Sequence, residues 1–96
     1  MSIHCDYKLA PSGTAPLYLS SSGKRLAKYV DKSVRKSMKM KRRGLYKRKD
    51  LYELTATDMP ACIYETGAIR ADLGKIKDYN HYGIAIAKGI MAYFGI

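Results

Sequence analysis

Residues 59–67 read MPACIYETG. Between Pro60 and Gly67 lies a continuous apolar run, Ala61-Cys62-Ile63-Tyr64, that ends on a carboxylate, Glu65. A short apolar run bounded by Pro and Gly predicts a strand buried on both faces, as in a parallel sheet. The chain on either side supplies helices to cover such a sheet. Leu26, Val30, Val34 and Met38 recur at every fourth position, with Ala27 and Tyr29 widening the stripe, which predicts a helix over 22–40. Its opposite face carries Lys24, Lys28, Lys32, Arg35, Lys36 and Lys39. Ser20, Ser21 and Ser22 offer N-cap hydroxyls, and Gly44 is the expected stop. A second helix is expected over 78–93, where Tyr82, Ile86, Ile90 and Phe94 lie four apart beside Ala85, Ala87 and Met91.

The remaining segments are shorter. Residues 1–5 (MSIHC) predict a strand end with Ile3 inward, and 6–16, rich in Pro, Gly, Ser and Thr, a loop. Residues 17–19 are apolar but fix no element. A basic loop over 43–50 leads to a strand candidate at 51–54, a turn over 55–58, and later one helical turn and a loop within 68–77. The order strand, helix, strand, strand, helix predicts an α/β fold with a mostly parallel sheet flanked by helices.

Composition bounds what such a fold can do. At 96 residues the chain is one domain at most. A chain of this size buries roughly 60–65% of its unfolded surface, so its stability margin is small. No apolar run approaches the ~20 residues that span a bilayer, so a membrane is not an expected partner. No signal peptide is visible, so delivery outside a cell would need another route. The net charge of +10, concentrated in 24–49, implies a polyanionic partner: nucleic acid, anionic lipid or an acidic wall polymer. A solvated helix face would produce the same pattern. Cys5 and Cys62 form no C-x-x-C pair and are expected to be buried free thiols.

Two residues could carry chemistry. His4 is expected to close one buried strand and Glu65 another, and in open α/β sheets ligands gather beyond the carboxyl ends of strands. An imidazole there can hold zinc, and a carboxylate backed by apolar residues can act as a general base. The ordinary reading of each is a solvated loop residue. His81, beside Asn80 and Tyr82, shows no partner and is expected to be structural or exposed.

Four segments in register carry a family likeness. Ser2-Ile3-His4-Cys5-Asp6 resembles an S-I-H-A-N segment, and Gly13 with Leu26-Ala27 is similar to a glycine followed by a serine-led S-x-x-L-A helix. Residues 59–67 resemble M-P-A-V-L-V-E-x-G, and 84–95 (IAIAKGIMAYFG) resemble a closing I-A-x-A-I-x-x-G-I-x-x-Y-F-G helix. These are segments of the type 3 N-acetylmuramoyl-L-alanine amidases, zinc-dependent peptidoglycan hydrolases of autolysins and phage endolysins. The likeness implies that residues 1–96 are a C-terminal portion of that catalytic domain. It implies that Glu65 is the catalytic acid/base and His4 the last of three zinc ligands, after a His in D-x-G-H-G and a helical Glu. In the family, zinc and the Glu activate a water against the amide joining N-acetylmuramic acid to L-alanine. No D-x-G-H-G segment occurs in these residues, so by likeness His4 would be a lone ligand. Ala68 stands where the family has Phe, Ala71 where Asn is common, Asp6 for Asn, and Tyr7 for a small residue.

The resemblance implies Zn2+ as cofactor, peptidoglycan as partner and action at the bacterial cell wall. The missing half-domain, or a second copy, is a further expected partner. Two alternatives stay open: a non-catalytic partner or wall-binding fragment of a longer amidase, and a basic nucleic-acid-binding module. No RRM, KH, helix-turn-helix or zinc-finger signature supports the latter.

Overall fold

The computed structural model describes residues 1–7, 9–56 and 59–96. The expected turn at 55–58 therefore lies partly outside the described residues. Four strands and four helices appear in the order β1 (Ser2–Asp6), β2 (Ala15–Tyr18), α1 (Ser21–Met38), β3 (Tyr46–Lys47), α2 (Tyr52–Thr55), β4 (Cys62–Ala68), α3 (Leu73–Ile76) and α4 (Tyr79–Phe94). The strands form one sheet in the order β1-β4-β2-β3. β1 runs parallel to β4 and β2 parallel to β3, but the central β2–β4 pairing is antiparallel, so the sheet is mixed.

The apolar run behaves as its composition predicts. Along β4 every residue is buried except Glu65, which is half-buried. The strand is longer than the run, however, and continues through Thr66 and Gly67 to Ala68. Glu65 therefore sits within β4 and does not close it.

On one face of the sheet, Cys62 and Tyr64 pack with Leu26, Ala27, Val30, Val34 and Met38 of α1 and Tyr82, Ala85 and Ile86 of α4. The expected α1 stripe is thus the core stripe, while Tyr29 stays exposed. On α4 the core contacts fall on Tyr82, Ala85, Ile86 and Gly89, and Phe94 is exposed. Gly89 allows the two helices to close up, because a Cβ there would lie 2.5 Å from Val30 Cα.

The helix ends have identifiable causes. Ser20 caps α1 by accepting from the Gly23 N–H at 3.0 Å. The helix stops at Met38 and not near Gly44: Lys39 takes a left-handed φ of 54°, and the Met40 N–H reaches back to the Arg35 carbonyl.

Three local expectations are corrected. First, 15–18 is a strand, though Pro16 and its neighbours read as loop. Thr14 and Tyr18 direct backbone groups to the 41–48 side, so by alternation Pro16 faces that side too. Its missing N–H therefore falls where the short β3 leaves the ladder incomplete, and the pairing to β4 is untouched. Second, 51–54 does not form a strand, because Leu54 and Thr55 both donate to the Leu51 carbonyl and close a helical turn. A four-residue apolar pattern does not separate the two. Third, β1 is an edge strand, not a buried one: Ile3 is 56% exposed and Cys5 is also exposed. Cys62 is buried as expected, and burial pushes its thiol up to about 11. No helix among the described residues is long and apolar enough to cross a membrane.

Candidate active site

β1 and β4 pair with His4 opposite Glu65. Register partners point to the same side of a sheet, so the two side chains share a face. It is the face away from Tyr64 and the α1–α4 layer. His4 lies within β1, one turn of the pleat before a bulge between His4 and Asp6, and so is not at the strand's tail. The two residues that the sequence singled out are thus neighbours across β1 and β4, within the strands and not at two separate strand ends.

Glu65 has an unusual environment. Its Oε2 is enclosed and accepts no hydrogen bond from the described residues. Burial pushes its carboxyl above the usual range, the Asp6 charge adds to that, and His4 and Arg43 partly offset it. Asp6 in turn is paired with the Arg43 guanidinium, both side chains being mostly enclosed.

Sequence reasoning missed two members of this cluster. Glu53, read as part of a strand, is carried by the α2 turn to 3.5 Å from His4 Nε2. Hydrogen bonding from Ser2, and the neighbouring His4, hold Glu53 below the usual carboxylate range despite some desolvation. Arg43, read as one charge in a basic loop, pairs with Asp6, and its N–H donates to the Thr14 carbonyl, which holds 41–43 beside the residue just ahead of β2. No local sequence signal marks either contact. His81, by contrast, is exposed on α4 as expected and lies 3.4 Å from Asp78.

A second cluster fixes the end of β4. Asp72 accepts from Ser12 at 2.6 Å, from the Gly13 N–H at 3.0 Å and from the Ala68 N–H at 2.9 Å. Burial alone would raise its carboxyl, but these hydrogen bonds more than offset it and leave it lowered. Gly67, at a φ of 150°, leaves room for this clamp, since a Cβ there would lie 2.8 Å from Asp72 Oδ2.

A catalytic zinc needs three protein ligands and an open position. Among the described residues no group of three or more His, Cys, Asp or Glu could hold a metal ion. His4 with Glu53 does not make that set.

The N-acetylmuramoyl-L-alanine amidase family model, Amidase_3, matches residues 1–92. The chain belongs to this amidase family. Among solved structures, the N-acetylmuramoyl-L-alanine amidase AmiC2 of Nostoc punctiforme superposes with a TM-score of 0.85 at 29% identity, covering 99% of this chain and 57% of that one. The catalytic domain of CwlV from Bacillus (Paenibacillus) polymyxa gives 0.82 at 25% identity, covering 99% and 56%. The catalytic domain of the CD27L endolysin targeting Clostridia difficile gives 0.77 at 26%, covering 94% and 52%. The amidase chain described here therefore spans little more than half the length of these relatives, and corresponds to a portion of the catalytic domain. No curated protein matches the sequence significantly.

Proposed function

We propose that this amidase chain carries the proton-transfer part of a peptidoglycan-hydrolysing site, acting at the bacterial cell wall on the amide between N-acetylmuramic acid and L-alanine. The enclosed, unpaired Oε2 of Glu65, on the face shared with His4, carries the reading. A carboxylate with a raised affinity for protons and no donor of its own is suited to take a proton from water. The water oxygen bonds to the lactyl carbonyl carbon as Glu65 accepts its proton. When the C–N bond breaks, Glu65 returns that proton to the departing L-alanine nitrogen, leaving a free amine and a lactyl carboxylic acid whose remaining proton passes to solvent. Arg43 keeps Asp6 paired, so the neighbouring carboxylate does not take Glu65's place as base. The test is release of L-alanine amino termini from purified peptidoglycan with zinc present. Equal and measurable release by the wild type and Glu65→Gln would remove Glu65 from the reaction.

His4 is our assignment for a zinc ligand, contributing one bond. Further donors would come from an additional segment or a second chain seated along the outer edge of β1. That edge exposes Ile3 and borders a cleft of about 270 Å³ lined also by Cys5, Tyr79, Tyr82 and Ile86. Equilibrium dialysis against zinc should give well under one tightly held ion per chain, reduced further by His4→Ala. One tightly bound ion on the chain alone would show that no outside donor is needed.

A further inference from the structure

We propose that the solvent face of α1 is a docking surface for a phosphodiester-linked anionic wall polymer, on the side of the sheet opposite Glu65. The two sides are distinct because α1 packs on Cys62 and Tyr64, whose side chains point away from the Glu65 face. Thirteen of the 18 Lys and Arg residues fall within 24–49, and Asp31 is the one acid between residues 7 and 49. Asp31 is wholly buried, so it does not neutralise that surface from outside.

The cations are ordered as well as numerous. At ~100° per residue, Arg25, Lys28, Lys32, Lys36 and Lys39 fall within about 80° of one another around α1, and all five are exposed. From Arg25 to Lys39 the stripe runs roughly 21 Å along the axis. Among the described residues Lys28, Lys32, Lys36 and Lys39 make no ion pair. Beyond the helix end Lys41, Lys47 and Lys49 are exposed too, and exposed Arg42 reaches back to Asp31 at 3.8 Å. Like charges three and four residues apart disfavour a helix, so the stripe is a cost to the isolated fold. A polyanion laid along it would relieve that repulsion and release its own counterions.

The pattern favours a flexible polyanion that is read by charge alone. Single-stranded nucleic acid binders add successive aromatic platforms for bases. Here the rings beside the stripe are already engaged: Tyr29 packs edge-on against Tyr93 at 6.0 Å, the Arg25 guanidinium lies over Tyr93 at 5.2 Å, and Lys24 lies over Tyr18 at 5.5 Å. The choice of a wall polymer as source of the charge rests on the peptidoglycan reading of Glu65. It would let the protein be held from one side while the other faces the glycan-peptide mesh.

The experiment is co-sedimentation of the full chain with wall sacculi that retain their phosphodiester polymers, and with the same sacculi stripped by hydrofluoric acid. Binding should fall about tenfold on stripping, and about tenfold for K28Q/K32Q/K36Q/K39Q on intact sacculi. The matching Lys→Arg quadruple variant should bind as the wild type does. Circular dichroism melts check that both variants fold. Glu65→Gln should bind unchanged, so a failed catalytic reading and a failed docking surface give different results. Equal binding to intact and stripped sacculi, or equal binding by the Gln variant, overturns the proposal. Tighter binding to a single-stranded oligonucleotide than to intact sacculi overturns it in favour of nucleic acid.

Discussion

Tyr64 and Glu65 are neighbours on β4 and look in opposite directions. The Tyr64 hydroxyl donates to Asp31 at 2.7 Å, and Asp31 also accepts from Thr14 at 2.6 Å and lies 3.0 Å from Arg35 Nε. Burial pushes the Tyr64 phenol strongly upward, with Tyr82 and Asp31 adding to it, so it stays a donor. On that side Asp31 Oδ1 takes the two hydroxyls, while Oδ2, which accepts no hydrogen bond among the described residues, faces the Arg35 and Arg42 guanidiniums. One residue later the Glu65 Oε2 is enclosed without a donor. A buried polar atom normally has a partner, because losing water without replacement is costly. On the helix face each Asp31 oxygen has a hydroxyl or a guanidinium against it, whereas Glu65 Oε2 has neither a hydrogen-bond donor nor an ion pair among the described residues.

The largest effect expected from breaking this contrast is catalytic. Glu65→Gln should lower amide hydrolysis by about 10²–10⁴-fold, read from free amine release on peptidoglycan. Next comes the satisfied side. Asp31→Ala strands the Tyr64 and Thr14 hydroxyls and the Arg35 charge, and should cost about 2–4 kcal/mol in urea unfolding. A loss no larger than that of an ordinary surface substitution would show that the network is not what orders this face.

Asp72→Asn should cost about 1–2 kcal/mol at neutral pH. Its carboxyl is lowered by the Ser12, Gly13 and Ala68 hydrogen bonds acting against burial. A depressed carboxyl stabilises the fold above its unfolded value, about 3.9, and that contribution is lost as pH falls through the folded value. Melts below pH 4 should therefore bring the variant and wild type together; a pH-independent gap would contradict the clamp.

The smallest effect has the opposite sign. Glu65 is raised, so its contribution is full below about pH 4.3 and is lost as pH rises through the folded value. Glu65→Gln removes that loss and should raise stability by about 1 kcal/mol near pH 7, and by nothing in acid. Destabilisation at neutral pH would mean that Glu65 is a structural group like Tyr64.

The strong periodicities were readable in advance, and they located most of the core. Leu26, Val30, Val34 and Met38 are buried because a four-residue repeat can face only one way on a helix. The apolar 61–64 run is a covered strand because it has no polar side to show. Short segments were not readable: β2 hid behind Pro16, and the α2 turn had an alternation that suits strand and helix alike.

His4 and Glu65 were legible as candidates because their residue types and family likeness single them out. Glu53 and Arg43 were not, since what makes them part of the site is which loops fold against β1 and β4. The sequence by itself determined the family, the core stripes and the excess of positive charge, all of which depend on local order and residue type. Tertiary structure decided that β1 is an exposed edge, and that the Tyr64 hydroxyl is hydrogen-bonded while Glu65 Oε2 is not. Those outcomes depend on strand register and sheet order, which place residues about 60 positions apart, such as His4 and Glu65, side by side.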